Sequence, residues 1–221
     1  MGTRHTVRVI MGNKEILNQY GQWDGYAETA GIYLYENIKH FRENNFETLK
    51  NALNNLVQIS EDVPFALKEC SLGLKHEFSE IEECISQYKM KYENYAEVSL
   101  CDIIHHAIEK YGYEKTAEYI LKTRDTGYKI LDAIKTLYEL NPNAKLPVVC
   151  EDGRCYWDYE INLDKNTYTI NVGEQSVTFG FNELPNKRNM ERICHALDND
   201  KDVQKVLDSI DKKTKKENDR L

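Results

Sequence analysis

Residues 158–181, DYEINLDKNTYTINVGEQSVTFGF, carry the clearest structural pattern of the chain. Tyr159, Ile161 and Leu163 alternate with Asp158, Glu160 and Asn162. A period of two with one apolar side marks a half-buried strand. Asp164-Lys165-Asn166 turns the chain, and Tyr168, Ile170 and Val172 make a second strand. Gly173-Glu174 turns it again, and Val177, Phe179 and Phe181 make a third. Short strands joined by tight turns form an antiparallel meander. Leu184-Pro185 ends it, and Met190 to Ala196 and Val203 to Ile210 predict closing helices.

The start of the chain offers the matching strands. Val7, Val9 and Met11 alternate with Thr6, Arg8 and Ile10, and Gly12-Asn13 supplies a two-residue hairpin turn. Residues 14–20 return with Leu17 on one face and Ile16 and Tyr20 on the other. A two-stranded hairpin is marginal alone. All five strands are therefore expected in one antiparallel sheet, the N-terminal hairpin plus the C-terminal meander, packed on helices as an α+β fold.

Between these strands the pattern is helical. Gly31, Leu34, Tyr35, Ile38 and Phe41 predict a helix of about four turns. Leu49, Leu53, Leu56 and Val57 make one further stripe, and Phe78, Ile81, Ile85 and Tyr88 another. Leu100, Ile103, Ile104, Ala107, Ile108 and Tyr111 make a third. Pro64 marks a break or a fresh helix start. Ala117, Ile120 and Leu121 belong to a short helix ending near Arg124, and Asp125 reads as the N-cap of the next, which Asn141-Pro142-Asn143 stops. The helices beginning near Ala27 and Asp125 are expected to cover one sheet face. With no Gly- or Ser-rich linker, residues 1–221 read as a single domain, with 43–120 as a helical insertion and 211–221 as a mobile charged tail.

Composition bounds the function. The chain has 221 residues, 41% hydrophobic and 30% charged, and a formal charge of −8. That balance argues against a nucleic-acid binder, which presents a basic face. No run approaches the roughly 20 apolar residues of a membrane span, and no apolar signal-peptide core opens the chain. In the reducing compartment this implies, Cys70, Cys84 and Cys101 read as small buried hydrophobes. Cys150 and Cys155 flank a turn, and pairing between them is left open. His105, His106 and His195 lack zinc-site spacing, so neither metal nor cofactor is implied.

The densest cluster of unusual residues is Gln19-Tyr20-Gly21-Gln22-Trp23-Asp24-Gly25-Tyr26. It combines flat aromatic faces, amide and carboxylate groups, and glycines that let backbone approach a ligand. It lies where a strand hands over to a helix, whose N-terminal N–H groups suit an anion. Arg4 and His5 precede the first strand, and Arg124-Asp125 opens a second helix with a guanidinium able to grip phosphate. The candidate ligand-binding set is Arg4, His5, Gln19, Tyr20, Gln22, Trp23, Asp24, Tyr26, Arg124 and Asp125, around a planar anionic small molecule. A purely structural reading stands beside it: a tight turn with Trp23 as core plug, Asp24 and Asp125 as caps, and Arg124 in a local ion pair.

Thr3-Arg4-His5 before a strand, followed by Gln19 to Tyr26, resembles a family of largely uncharacterised bacteriophage and prophage proteins. Arg124-Asp125-Thr126-Gly127 is similar to that family's second motif, and residues 159–164 with Phe181 and Leu184-Pro185 to its third. The likeness spans about 90 residues and leaves out the 43–120 insertion. Ala27 stands where the family has proline. Some members carry a Cys at the second position, which invites comparison with N-terminal nucleophile hydrolases. This chain has Gly2, and Thr3 lies one residue too far in for that chemistry.

What the resemblance implies is a phage protein of the bacterial cytoplasm, in an infected or lysogenic host. It would sequester a nucleotide-derived immune signal as a counter-defence sponge, with no nucleic acid or membrane partner, and a homo-oligomer is compatible with it. Two rivals stand: a hydrolase of nucleotide or amide substrates using Asp24, His5 or Asp125 as acid–base groups, and a protein–protein inhibitor of a host factor.

Overall fold

The computed structural model describes residues 3–43, 46–58, 71–90, 98–123, 126–148 and 153–218, with backbone alone at 71–77 and 213–218. In chain order the first elements are β1 (His5–Met11), β2 (Lys14–Gly21), a π-helical turn (Ala27–Gly31), α1 (Ile32–Glu43), α2 (Glu47–Asn54) and β3 (Leu56–Gln58). Then come α3 (Ser71–Met90), α4 (Leu100–Tyr111), α5 (Tyr113–Lys122), α6 (Ile130–Leu140) and β4 (Leu146–Val148). The chain closes with β5 (Trp157–Asn162), β6 (Thr167–Val172), β7 (Gln175–Gly180), α7 (Lys187–Asp198) and α8 (Val203–Asn218). The fold is α+β. It divides into two compact units, Met1–Asn45 with Asp152–Leu221, and Phe46–Glu151. The second unit therefore runs beyond the expected insertion limit at residue 120 and takes in the Ile130–Leu140 helix.

In the first unit the hairpin and the meander share one five-stranded sheet, in the order β2-β1-β5-β6-β7. Gly12 and Asn13 turn the hairpin with φ of 63° and 58°, the left-handed pair that a two-residue connection needs. The register runs from His5↔Gly21 to Val9↔Leu17 and shifts by a bulge before Ile10. Asp164, in the β5–β6 turn, accepts the N–H groups of Gly12 and Asn13 at 2.9 and 2.8 Å, fastening one turn to the other.

The sheet is mixed, which corrects the expected all-antiparallel arrangement. β1 and β5 run parallel, from His5↔Trp157 to Ile10↔Asn162. Alternation of apolar residues fixes the face of a strand and not its direction. A parallel join needs a long crossover, and here the connection from residue 22 to residue 156 is one.

One sheet face is apolar: Val7, Val9, Leu17, Tyr159, Ile161, Tyr168, Ile170 and Val177 are buried on it. The π-turn, α1 and α7 pack together over this face. Two phenols pin them down, Tyr159 donating to the Gly25 carbonyl at 2.7 Å and Tyr168 to the Gly31 carbonyl at 2.9 Å. The helix expected from Asp125 to join this cover forms instead part of the second unit's own core, where α6 packs on α2, α4 and α5. An amphipathic stripe tells which side of a helix is buried but not what buries it.

The second unit confirms the predicted stripes as α3, α4, α5 and α6 and corrects one of them. Leu49 and Leu53 lie on α2, but Leu56 and Val57 begin β3, which pairs in parallel with β4 through Leu56↔Leu146 and Val57↔Pro147. Cys84 is buried as expected, whereas Cys101 is exposed. Cys70, Pro64, Cys150, Arg124 and Asp125 lie outside the described residues. After them, the Thr126 hydroxyl donates to the Ile120 carbonyl at 2.6 Å and a single 3-10 turn leads into α6. In the first unit, α8 continues as helix through residues 211–218 of the expected tail. Among the described residues no helix is long and apolar enough to cross a membrane.

Candidate functional site

The site is built by the loop that follows β2. Its floor is Gly25: a Cβ placed there would come within 2.6 Å of His5 Nδ1 and 2.8 Å of the Thr3 carbonyl. Only glycine lets the loop lie this close to β1. With its floor clamped by Tyr159, the loop turns its large side chains outward. Trp23 is 54% exposed and Tyr26 47%. That overturns the reading of Trp23 as a core plug. His5 lies beneath the loop, fully buried, and burial lowers its imidazole to a pKa of about 4. It is a neutral support near pH 7, out of reach of a surface ligand.

The N-terminus of the π-turn was expected to receive an external anion. It already holds an internal one. Asp198, at the end of α7, accepts the N–H of Ala27 at 2.9 Å and that of Glu28 at 2.8 Å. Asp24 is consequently no cap; it sits exposed with φ of 52° in the loop itself. The same Asp198 carboxylate accepts the indole N–H of Trp157 at 2.9 Å. One carboxylate thus fixes the start of the turn and the ring at the start of β5.

Around Trp157 an aromatic platform forms. The rings of Tyr26 and Trp157 meet edge to face with centroids 5.2 Å apart, and those of Tyr156 and Trp157 at 4.7 Å. This geometry suits aromatic quadrupoles. Tyr156 is 52% exposed, and its hydroxyl donates to Asp200 at 3.3 Å. The Asp200 charge raises the Tyr156 phenol above its ordinary pKa. Gly173, at φ of 58°, leaves room for the Tyr156 ring, which a Cβ would meet at 2.8 Å. At the flank of the platform, His195 Nδ1 pairs with Glu28 at 2.8 Å, and Lys201 donates to His195 Nε2 at 3.2 Å.

The predicted site residues therefore divide. Trp23, Asp24 and Tyr26 are exposed in one loop, Gln22 and Tyr20 are half-buried beside it, and Arg4 is exposed at the start of β1. Gln19 is buried, its amide donating to the Tyr20 carbonyl at 3.1 Å, and His5 is sealed. Arg124 and Asp125 lie outside the described residues. Tyr156, Trp157, Asp198, His195 and Lys201 were missed. The adjacent Tyr156-Trp157 pair held a signal, because strand alternation can bury only one of two neighbouring rings on the core face.

The opposite sheet face carries a buried polar cluster. Arg8, 2% exposed, donates from Nε and Nη2 to the two oxygens of Asp158, both at 2.8 Å. It also meets Glu160 at 2.8 Å and Glu15 at 3.3 Å. Thr6 and Asn171 complete Asp158 with bonds of 2.8 and 2.9 Å. Burial pushes the Asp158 carboxyl up, but bonds from Arg8 and Thr6 outweigh it and leave the pKa below the ordinary value. Among the described residues no group of three or more His, Cys, Asp or Glu is arranged to hold a metal ion. No protein-family model matches the chain, and no curated protein or solved structure matches it.

Proposed function

We propose that the first unit binds a planar small molecule on the platform of Tyr26, Trp157 and Tyr156, with Trp23 able to close over it. The observation that carries this reading is the trio of edge-to-face rings, two of them about half exposed, held by Asp198 and Asp200 rather than by core packing. Apolar residues exposed singly are ordinary, whereas exposed rings grouped in one patch mark an interaction or ligand-binding surface. Stacking a nucleobase on such a ring is worth about 1–3 kcal/mol. The Lys201 ammonium at the flank would meet an anionic arm, which makes a nucleotide-like ligand the class that fits best. The phage resemblance supplies a setting, sequestration of a nucleotide-derived immune signal in an infected bacterium.

Incubation with a panel of cyclic nucleotides and ADP-ribose derivatives tests this, followed by removal of free ligand, heat denaturation and analysis of what is released. Intact ligand, lost in Trp23→Ala and in Tyr26→Ala, is the expected result. Released ligand that has been chemically altered would replace the reading with an enzymatic one. Retention unchanged in both variants would move the site elsewhere.

A further inference from the structure

Given the platform reading, on which this rests, we infer that the flat group the rings select is cationic, a positively charged N-alkylated heteroaromatic ring of the pyridinium or purine kind. Trp157 is the centre of the trio, with Tyr26 standing to it at 77° and Tyr156 at 66°. Its indole N–H donates to Asp198 at 2.9 Å, and the Tyr156 hydroxyl donates to Asp200 at 3.3 Å. Both rings thus give their polar hydrogen to a carboxylate. Such a bond polarises the ring, returning electron density to it, and makes its face more attractive to positive charge.

Glu174 adds a third carboxylate. It follows Gly173, against which the Tyr156 ring lies, and after Asp200 its charge is the next to raise the Tyr156 phenol. Among the described residues no lysine or arginine answers these charges over the three rings; the cation–π pairs lie at Tyr111 and Tyr128, in the second unit. Lys201 is turned instead to His195 Nε2. With Tyr26 and Tyr156 about half exposed, a ligand reaches the rings from solvent. A neutral base would gain stacking alone. A cationic one gains the ring quadrupoles and the nearby Asp200 and Glu174 as well. In a nucleotide of this kind the positive ring takes the platform and the anionic arm takes Lys201.

The test uses the full chain and two matched pairs of probes: 1-methylnicotinamide against nicotinamide, and 1-methyladenosine, cationic near neutral pH, against adenosine. Sodium chloride brings the neutral probes to equal ionic strength. The Trp157 indole N–H resonance, assigned with Trp23→Phe, is followed by NMR. In at least one pair the cation should bind about 3- to 30-fold more tightly than its neutral partner, the range of a cation–π contact. The pair with the larger ratio identifies the source of the ring. Asp200→Asn keeps an acceptor for Tyr156, and asparagine tolerates the φ of 50° at that position. It should cut the ratio roughly two- to threefold and leave the neutral probe's affinity unchanged. Saturable shifts with equal affinities in both pairs, or a ratio unmoved by Asp200→Asn, would overturn the inference and leave the platform standing. No shift with any probe would overturn both.

Discussion

Replacing Asp158 with Asn should destabilise the first unit by about 3–5 kcal/mol, the range for breaking a buried ion pair. Its carboxylate accepts four bonds, from Thr6 and Arg8 Nε on Oδ1 and from Arg8 Nη2 and Asn171 on Oδ2. In Asp158→Asn one of these positions becomes an NH2 group, and whichever one it is then faces two donors. One bond to a charged group, worth about 1.5–3 kcal/mol, and one neutral bond, about 1 kcal/mol, are lost together. The guanidinium keeps Glu160 and Glu15, which holds the cost near the lower end.

Urea denaturation followed by tryptophan fluorescence measures this directly, because both tryptophans of the chain, Trp23 and Trp157, lie in the first unit. With m of about 1–3 kcal/mol per molar, the midpoint should fall by roughly 1–3 M. Asp158 has a depressed pKa in the folded state. Its contribution is therefore complete above the unfolded value of about 3.9 and is lost as pH falls through the folded value. The gap between the two proteins should stay level from about pH 5 to 8 and close in acid. A loss under about 1 kcal/mol, or a gap indifferent to acid, would refute the placement of this pair in the core of the fold.

Gly25→Ala should cost about 1–3 kcal/mol by overpacking, since the new methyl meets His5 and the Thr3 backbone below 3 Å; a midpoint within error of the parent would contradict the loop floor. The His5 imidazole should titrate near pH 4 in NMR. As its folded pKa lies below the unfolded one, it contributes fully above about 6.5 and progressively less toward 4. Titration near 6.5 in the folded protein would mean that His5 is open to solvent. Gly173→Ala should push the Tyr156 ring off the platform. Ligand retention should fall, with stability losing only the roughly 1–2 kcal/mol of a left-handed Cβ.

Strand positions were legible because the three strands of the meander alternate cleanly and each turn has its own chemistry: Gly12-Asn13, Asp164 to Asn166, and Gly173. Strand direction was not, because parallel and antiparallel neighbours write the same alternation. β3 escaped notice because Leu56 continues the three-residue spacing from Leu53, and a three-residue strand has no period to read. The candidate site was half legible. The loop from Gln19 to Tyr26 announced itself by composition, while its partners Trp157 and Asp198 are brought to it by the parallel β1–β5 pairing and by α7. The helix-terminus anion site was read correctly as chemistry and wrongly as vacant, since no local pattern points from Ala27 to a carboxylate 171 residues away.

The proposed binding mode sets a flat ligand against Trp157. In Trp23→Phe that indole is the sole tryptophan and reports its own surface. Titrating this variant with the nucleotide panel should produce saturable quenching by the ligand that the parent protein retains, and removing Tyr26 should abolish it. Ligand retained by the variant with the Trp157 emission unchanged would contradict the claim.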